Sequence, residues 1–95
     1  NPPQILQGVR EKLDAWDSLG HKIILVTARK ESTRELTTNH LQRLAIPYDQ
    51  LIMGVTSGTR VLINDSLDTS HSRAVGVNVP TDGGFGIIDW DTYGL

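Results

Sequence analysis

Thr27, Ala28 and Arg29 stand directly after the apolar run Ile23-Ile24-Leu25-Val26, and Asn64 and Asp65 stand directly after a second run, Val61-Leu62-Ile63. Both pairings have the same form, β-branched residues followed by polar groups. A hydroxyl with a backbone N–H beside it at the carboxyl end of a strand can grip an anion, and phosphate is the anion such ends most often hold. In open α/β sheets that end is where ligands bind. Thr27 can equally satisfy only its own loop. Arg29 supplies a positive charge next to it, for phosphate or substrate, or in its plainer reading a surface ion pair. If the two runs are strands with their carboxyl ends at one rim, Asp65 brings a carboxylate to the same edge as Thr27. A hydroxyl and a carboxylate, without thiols or a histidine cluster, suit a phosphate with a hard cation beside it. Magnesium takes oxygen ligands, keeps several waters and is commonly held by one or two carboxylates plus substrate phosphate.

The elements that must position these groups are readable in outline. Residues 23–26, with no polar alternation, predict a strand buried on both faces, as in the interior of a parallel sheet. Ahead of it, Asn1-Pro2-Pro3 predicts a helix start, and Ile5, Val9, Leu13 and Trp16 form one apolar helical face that ends at Gly20. After it, Ser32 and Glu35 have the spacing of a capping box. A second helix follows, with Leu36, His40, Leu41 and Leu44 as its apolar side, and it must stop before Pro47. His40 on or beside that side reads as a packed or half-exposed histidine rather than a base. Tyr48-Asp49-Gln50-Leu51-Ile52-Met53-Gly54 predicts an edge strand, residues 60–65 a buried strand, Asp65-Ser66-Leu67-Asp68 the start of a short helix, and residues 74–79 a further strand. Arg60 begins its strand at the end away from Thr27. The segment between Ile52 and Val61 is short for a right-handed crossover, which usually needs about a dozen residues. The tail is loop-rich, and Ile87-Ile88 adds one short strand or packs a loop down. This alternation predicts an α/β layered domain with a mostly parallel sheet.

Composition narrows the classes. With 95 residues and a net charge of −2 the chain makes one small domain, its cations scattered rather than clustered, which points away from nucleic acid and acidic membrane surfaces. It has no cysteine, hence no disulfide framework and no thiolate metal site or nucleophile. No apolar run is long enough to span a bilayer and no leader opens the chain, which fits a cytoplasmic protein. Asp82-Gly83-Gly84-Phe85-Gly86 is glycine-rich but follows Pro80 and opens no helix, so it is no dinucleotide fingerprint.

Taken together, the strand followed by Thr-Ala-Arg, the capped helix ending before Ile-Pro-Tyr, the Leu-Ile-Met-Gly turn and the strand ending Asn-Asp resemble the haloacid dehalogenase (HAD) superfamily over roughly residues 2–79. They are most similar to its small capless or small-capped phosphatases. The resemblance implies a three-layer, Rossmann-like, mostly parallel sheet with flanking helices, and a magnesium-dependent phosphatase acting on a small phosphorylated metabolite. It further implies phosphate held by the Thr27 hydroxyl and the Ala28 N–H, charge neutralised by Arg29 or Arg60, and magnesium held by Asp65. Thr27 and Arg60 are then the catalytic candidates, Thr27, Ala28 and Arg29 the substrate-binding ones.

The sequence departs from the family pattern at its centre. The family's first strand ends in paired aspartates, one of them the nucleophile, and should precede the first helix; Asp-x-Asp occurs here only as Asp89 and Asp91 around Trp90. Close relatives often carry Lys in the turn after Met53-Gly54, where this chain has Val55. In the family the missing strand lies between the strands ending at Thr27 and Asp65, so three expectations follow. The chain is the C-terminal portion of a longer protein, which is the favoured one; or the Ile87-Ile88 tail fills the gap; or the two strands close directly. As written the chain lacks its nucleophile and should be inactive. The alternative function is a degenerate, non-catalytic binding or assembly module. Substrate identity and oligomeric state are open at this level.

Overall fold

The structure, a computed structural model, describes residues 8–65 and 74–95. The expected helix start at Asn1-Pro2-Pro3, the contribution of Ile5 and the short helix through Ser66-Leu67-Asp68 lie outside the described residues. Within them the chain is a small α/β unit. Helices α1 (Val9–Ser18) and α2 (Arg34–Arg43) accompany strands β1 (Ile24–Val26) and β2 (Gln50–Ile52), with 3-10 turns at Glu31–Thr33 and Trp90–Tyr93.

α1 begins after Gly8, its N-cap, which sits at φ 80. Leu13 is its buried residue, with Val9 and Trp16 half-covered beside it. Its end is as expected. Gly20 at φ 87 donates to the Asp17 carbonyl while His21 donates to that of Trp16, the paired closure that a left-handed residue after a helix makes possible. α2 ends in the same way, Ala45 donating to Gln42 O and Ile46 to Leu41 O, but here an alanine holds the left-handed position at φ 55. That conformation costs a non-glycine residue about 1–2 kcal/mol. Ala45→Gly should therefore raise stability by about 0.5–1 kcal/mol, the gain being reduced by glycine's greater freedom when unfolded, read as an upward shift of the urea midpoint at unchanged slope.

The start of α2 differs from the capping-box expectation. Its N-cap is Thr33, whose hydroxyl donates back to the Lys30 carbonyl at 2.8 Å, and Ser32 lies inside the preceding 3-10 turn. The extra turn shifts the helix start by one residue and removes Ser32 from capping geometry. An Arg34–Glu31 ion pair spans this junction, and the Arg34 hydrogen bond holds the Glu31 carboxyl below its usual range. Both groups are exposed, where such pairs add little stability. Arg34 Nη2 also reaches the Leu51 carbonyl at 3.2 Å, tying the first turn of α2 to β2.

β1 and β2 pair in parallel, Ile24 opposite Gln50, Leu25 opposite Leu51 and Val26 opposite Ile52. Asp49 locks the start of this register. Its Oδ2 accepts from Ile23 N–H at 2.8 Å and its own N–H donates to Ile23 O at 2.7 Å. Ile23, Leu51 and Met53 are buried and Leu25 is half-covered, whereas Ile24, Val26 and Ile52 are exposed. Alternation along a strand puts these two sets on opposite faces. The expectation of a strand buried on both faces is thus corrected: among the described residues one face is covered and the other is open.

Two further strands are also corrected. Residues 60–65 form no strand, and Val61, Leu62 and Ile63 are 78%, 75% and 90% exposed. Residues 74–79 form none either. Both runs are apolar enough to be strands, but a strand exists only when a neighbour takes its hydrogen bonds, and among the described residues β1 and β2 are each other's only partners. The tail does not fill a gap in the sheet. It folds back on α1, where Trp90 packs edge to face on Trp16 and Phe85 with centroids 5.2 and 5.1 Å apart, and Trp16 and Phe85 lie tilted at 6.2 Å. The radius of gyration is 14.8 Å, above the roughly 13 Å of a compact chain of about 100 residues. No described helix is long and apolar enough to cross a membrane.

Candidate functional site

Strand β1 delivers Thr27, Ala28 and Arg29 to its carboxyl end, as the sequence predicts. The pairing with β2 continues past the strands. Thr27 N–H donates to Ile52 O at 3.0 Å, Val55 N–H to Thr27 O at 3.1 Å, and Gly54 N–H to Arg29 O at 2.7 Å. The turn carrying the three residues is therefore stitched to the residues after β2. Thr27 Oγ1 accepts from the Arg29 N–H at 3.2 Å, so the hydroxyl does serve its own loop. A hydroxyl has one proton to donate as well as lone pairs to accept with, and acceptance from Arg29 leaves that proton for a ligand. The Ala28 N–H takes no part in the backbone bonds that tie this turn.

Arg29 turns back toward α2, where its Nη1 donates to Thr37 Oγ1 at 3.3 Å. Thr37 is only 6% exposed. The two residues sit at the polar side of a cleft of about 290 Å³ between α2 and the covered face of the sheet, with Thr27 and His40. The rest of the lining is aliphatic, Leu25 and Leu51 from the sheet and Leu41 and Leu44 from the α2 side. His40 Nδ1 is buried and has no hydrogen-bond partner. Leaving a buried polar atom unpaired costs about 1–3 kcal/mol, a cost that a bound hydrogen-bonding group would remove.

Sequence reasoning missed Thr37 and placed His40 only as a packing residue. The signal was present: Thr37, His40, Leu41 and Leu44 recur at three, four and seven residues, one face of a helix. The face anchored on Leu36 was chosen instead because Leu36 is apolar, and Leu36 is 54% exposed. The inward side of α2 is rotated by one residue and begins with a threonine.

The other candidates are not gathered with these. Arg60 is exposed, its Nη1 donating to the nearby Gly58 carbonyl at 3.3 Å. Asp65 is exposed at the end of the irregular run 60–65. Among the described residues no group of three or more His, Cys, Asp or Glu side chains could hold a metal ion. Asp65 would bring one carboxylate to a metal, and magnesium is commonly held by one or two carboxylates with water and substrate oxygens.

Comparison with models of protein families, with curated proteins and with solved structures found no match to this chain.

Proposed function

We propose that the chain is the C-terminal portion of a cytoplasmic, HAD-like, magnesium-dependent phosphatase acting on a small phosphorylated metabolite, with its nucleophile-bearing strand lying outside these residues. The observation that carries this reading is the Thr27-Ala28-Arg29 turn at the carboxyl end of a parallel strand, with a hydroxyl proton to donate and a guanidinium on the same loop. In this reading Thr27 and the Ala28 N–H hold the phosphoryl oxygens, and Arg29 or Arg60 neutralises charge. Asp65 holds magnesium, which supplies further charge neutralisation when bound. Positioning and charge neutralisation account for most of the catalysis of phosphoryl transfer. The three-layer sheet belongs to the same proposal, with the absent strand between β1 and residues 60–65.

A non-catalytic binding or assembly module is the second reading, favoured by the exposed apolar surface of Ile24, Val26 and residues 61–63. Surfaces of that kind mark association sites.

The gene upstream of the codon for Asn1 separates the two. An apolar strand ending Asp-x-Asp is expected there, and the chain so extended should hydrolyse a generic aryl phosphate with magnesium. Thr27→Ala should then lower the rate by about 100-fold or more, the effect of removing one preorganised donor. Unchanged magnesium-dependent hydrolysis in Asp65→Asn would remove the metal assignment, and the lack of any such upstream strand would favour the module.

A further inference from the structure

We infer that the cleft between α2 and the covered face of the sheet is a binding site for a small monoanion on a short aliphatic chain, a carboxylate of about the size of hexanoate. This goes beyond the phosphatase reading, because it needs neither a nucleophile nor a metal.

Charge selects the ligand first. Among the described residues, Arg29 is the one permanently charged residue lining the cleft, and no carboxylate lines it. One guanidinium balances the single charge of a carboxylate, which it can hold with two parallel hydrogen bonds, and would leave a phosphate dianion half neutralised. Polar placement narrows it further. The Arg29 guanidinium is already held at the cleft by Thr37 Oγ1, itself 6% exposed, so the cation is oriented before any ligand arrives. The Thr27 hydroxyl keeps a proton to donate from the neighbouring wall. His40 lines the same cleft and its buried Nδ1 lacks a partner, so the site has unspent hydrogen-bonding capacity as well as charge.

The aliphatic part of the lining selects the tail. Leu25 and Leu51 come from paired positions of the sheet and Leu41 and Leu44 from one side of α2. These side chains offer dispersion contacts but no polar atom and no aromatic surface, which favours a flexible alkyl group over a sugar or a base. A volume of about 290 Å³ is at the lower limit of small-molecule pockets, which begin near roughly 300 Å³. That limits the ligand to a short chain.

The test is a titration of the isotope-labelled 95-residue chain with hexanoate, followed by amide and imidazole NMR shifts. Saturable shifts confined to Thr27, Arg29, Thr37, His40 and Leu44 are expected, with a Kd of about 1 mM. Hexanol, which lacks the charge, and acetate, which lacks the tail, should each bind at least about tenfold more weakly. Arg29→Gln and His40→Phe should each weaken hexanoate by about tenfold with unchanged circular dichroism; Arg29 is exposed, so its replacement leaves the core intact. Equal binding of hexanol and hexanoate, shifts that map to Ile24 and Val26 on the open face, or the lack of saturable shifts would overturn the proposal. Inorganic phosphate is titrated in parallel. Phosphate shifts at Thr27 without hexanoate binding would overturn this site and leave the phosphatase reading standing; hexanoate binding without phosphate shifts would do the reverse.

Discussion

Leu51→Ala should lower the free energy of unfolding by about 3 kcal/mol, within the 2–5 kcal/mol typical of a leucine truncated in a core, whereas Ile52→Ala next to it should change it by no more than about 1 kcal/mol. The contrast follows from alternation along β2. Leu51 is 8% exposed and stands opposite Leu25, while Ile52 is 38% exposed on the open face. Leu51 matters more than an average core leucine because the core is thin. Its buried apolar residues are Leu13, Ile23, Leu51 and Met53 among those described, and none of the described side chains is fully enclosed. Domains of ordinary size have only about 5–15 kcal/mol in hand, so this one change removes a large share. The hydrogen bond from the Arg34 guanidinium to the Leu51 carbonyl does not involve the leucine side chain, so the loss reports side-chain packing. Urea denaturation of both variants checks it. Equal losses for Leu51→Ala and Ile52→Ala would show that the two faces of the sheet are equally covered, and the face assignment would fall.

What was legible in the sequence is what depends on neighbours close in the chain. Gly20 closes α1 as composition and spacing imply, and the Thr27-Ala28-Arg29 turn falls at a strand end because the apolar run stops there. What failed depends on partners far away in the chain. Residues 60–65 carry the same apolar signature as residues 23–26, yet only the latter find a parallel neighbour, in β2. Apolar content reports what could be buried, and pairing decides what is. The helical spacing put Thr37 on the inward side, but its polar partner was hidden for a related reason. Thr37 is buried because Arg29 reaches it across the cleft, and nothing in the helical pattern of residues 34–43 announces that contact. The capping box was displaced by a 3-10 turn in which Thr33, rather than Ser32, found a carbonyl to bond.

Trp90→Ala should be the other severe change, releasing the tail from α1 at a cost of about 3 kcal/mol. The sequence marks residues 80–95 only as loop-rich, but their aromatic residues anchor them. The Trp90 ring meets Trp16 at 5.2 Å and Phe85 at 5.1 Å, and its Nε1 donates to the Phe85 carbonyl at 3.1 Å. Such ring pairs add about 0.5–1.5 kcal/mol beyond the area they bury. Lys12 lies 5.9 Å from the Trp90 ring and 5.5 Å from Trp16, and its ammonium donates to the Leu95 carbonyl at 2.8 Å. The close approach of the two segments also needs a glycine. A Cβ on Gly8 would stand 3.0 Å from Gly86 N, so Gly8→Ala should loosen the same contact. Trp90→Phe should cost less than Trp90→Ala, because it keeps an aromatic ring in the cluster while losing the indole hydrogen bond, itself about 1 kcal/mol, and part of the ring area. Hydrogen exchange provides the spatial readout. In Trp90→Ala, protection should fall in residues 83–95 and along the tail-facing side of α1, while β1 and β2 keep theirs, since no described hydrogen bond joins the tail to the sheet. A Trp90→Ala chain as stable as the parent, or one whose strands lose protection together with the tail, would mean that the aromatic cluster does not act as the separate anchor described here.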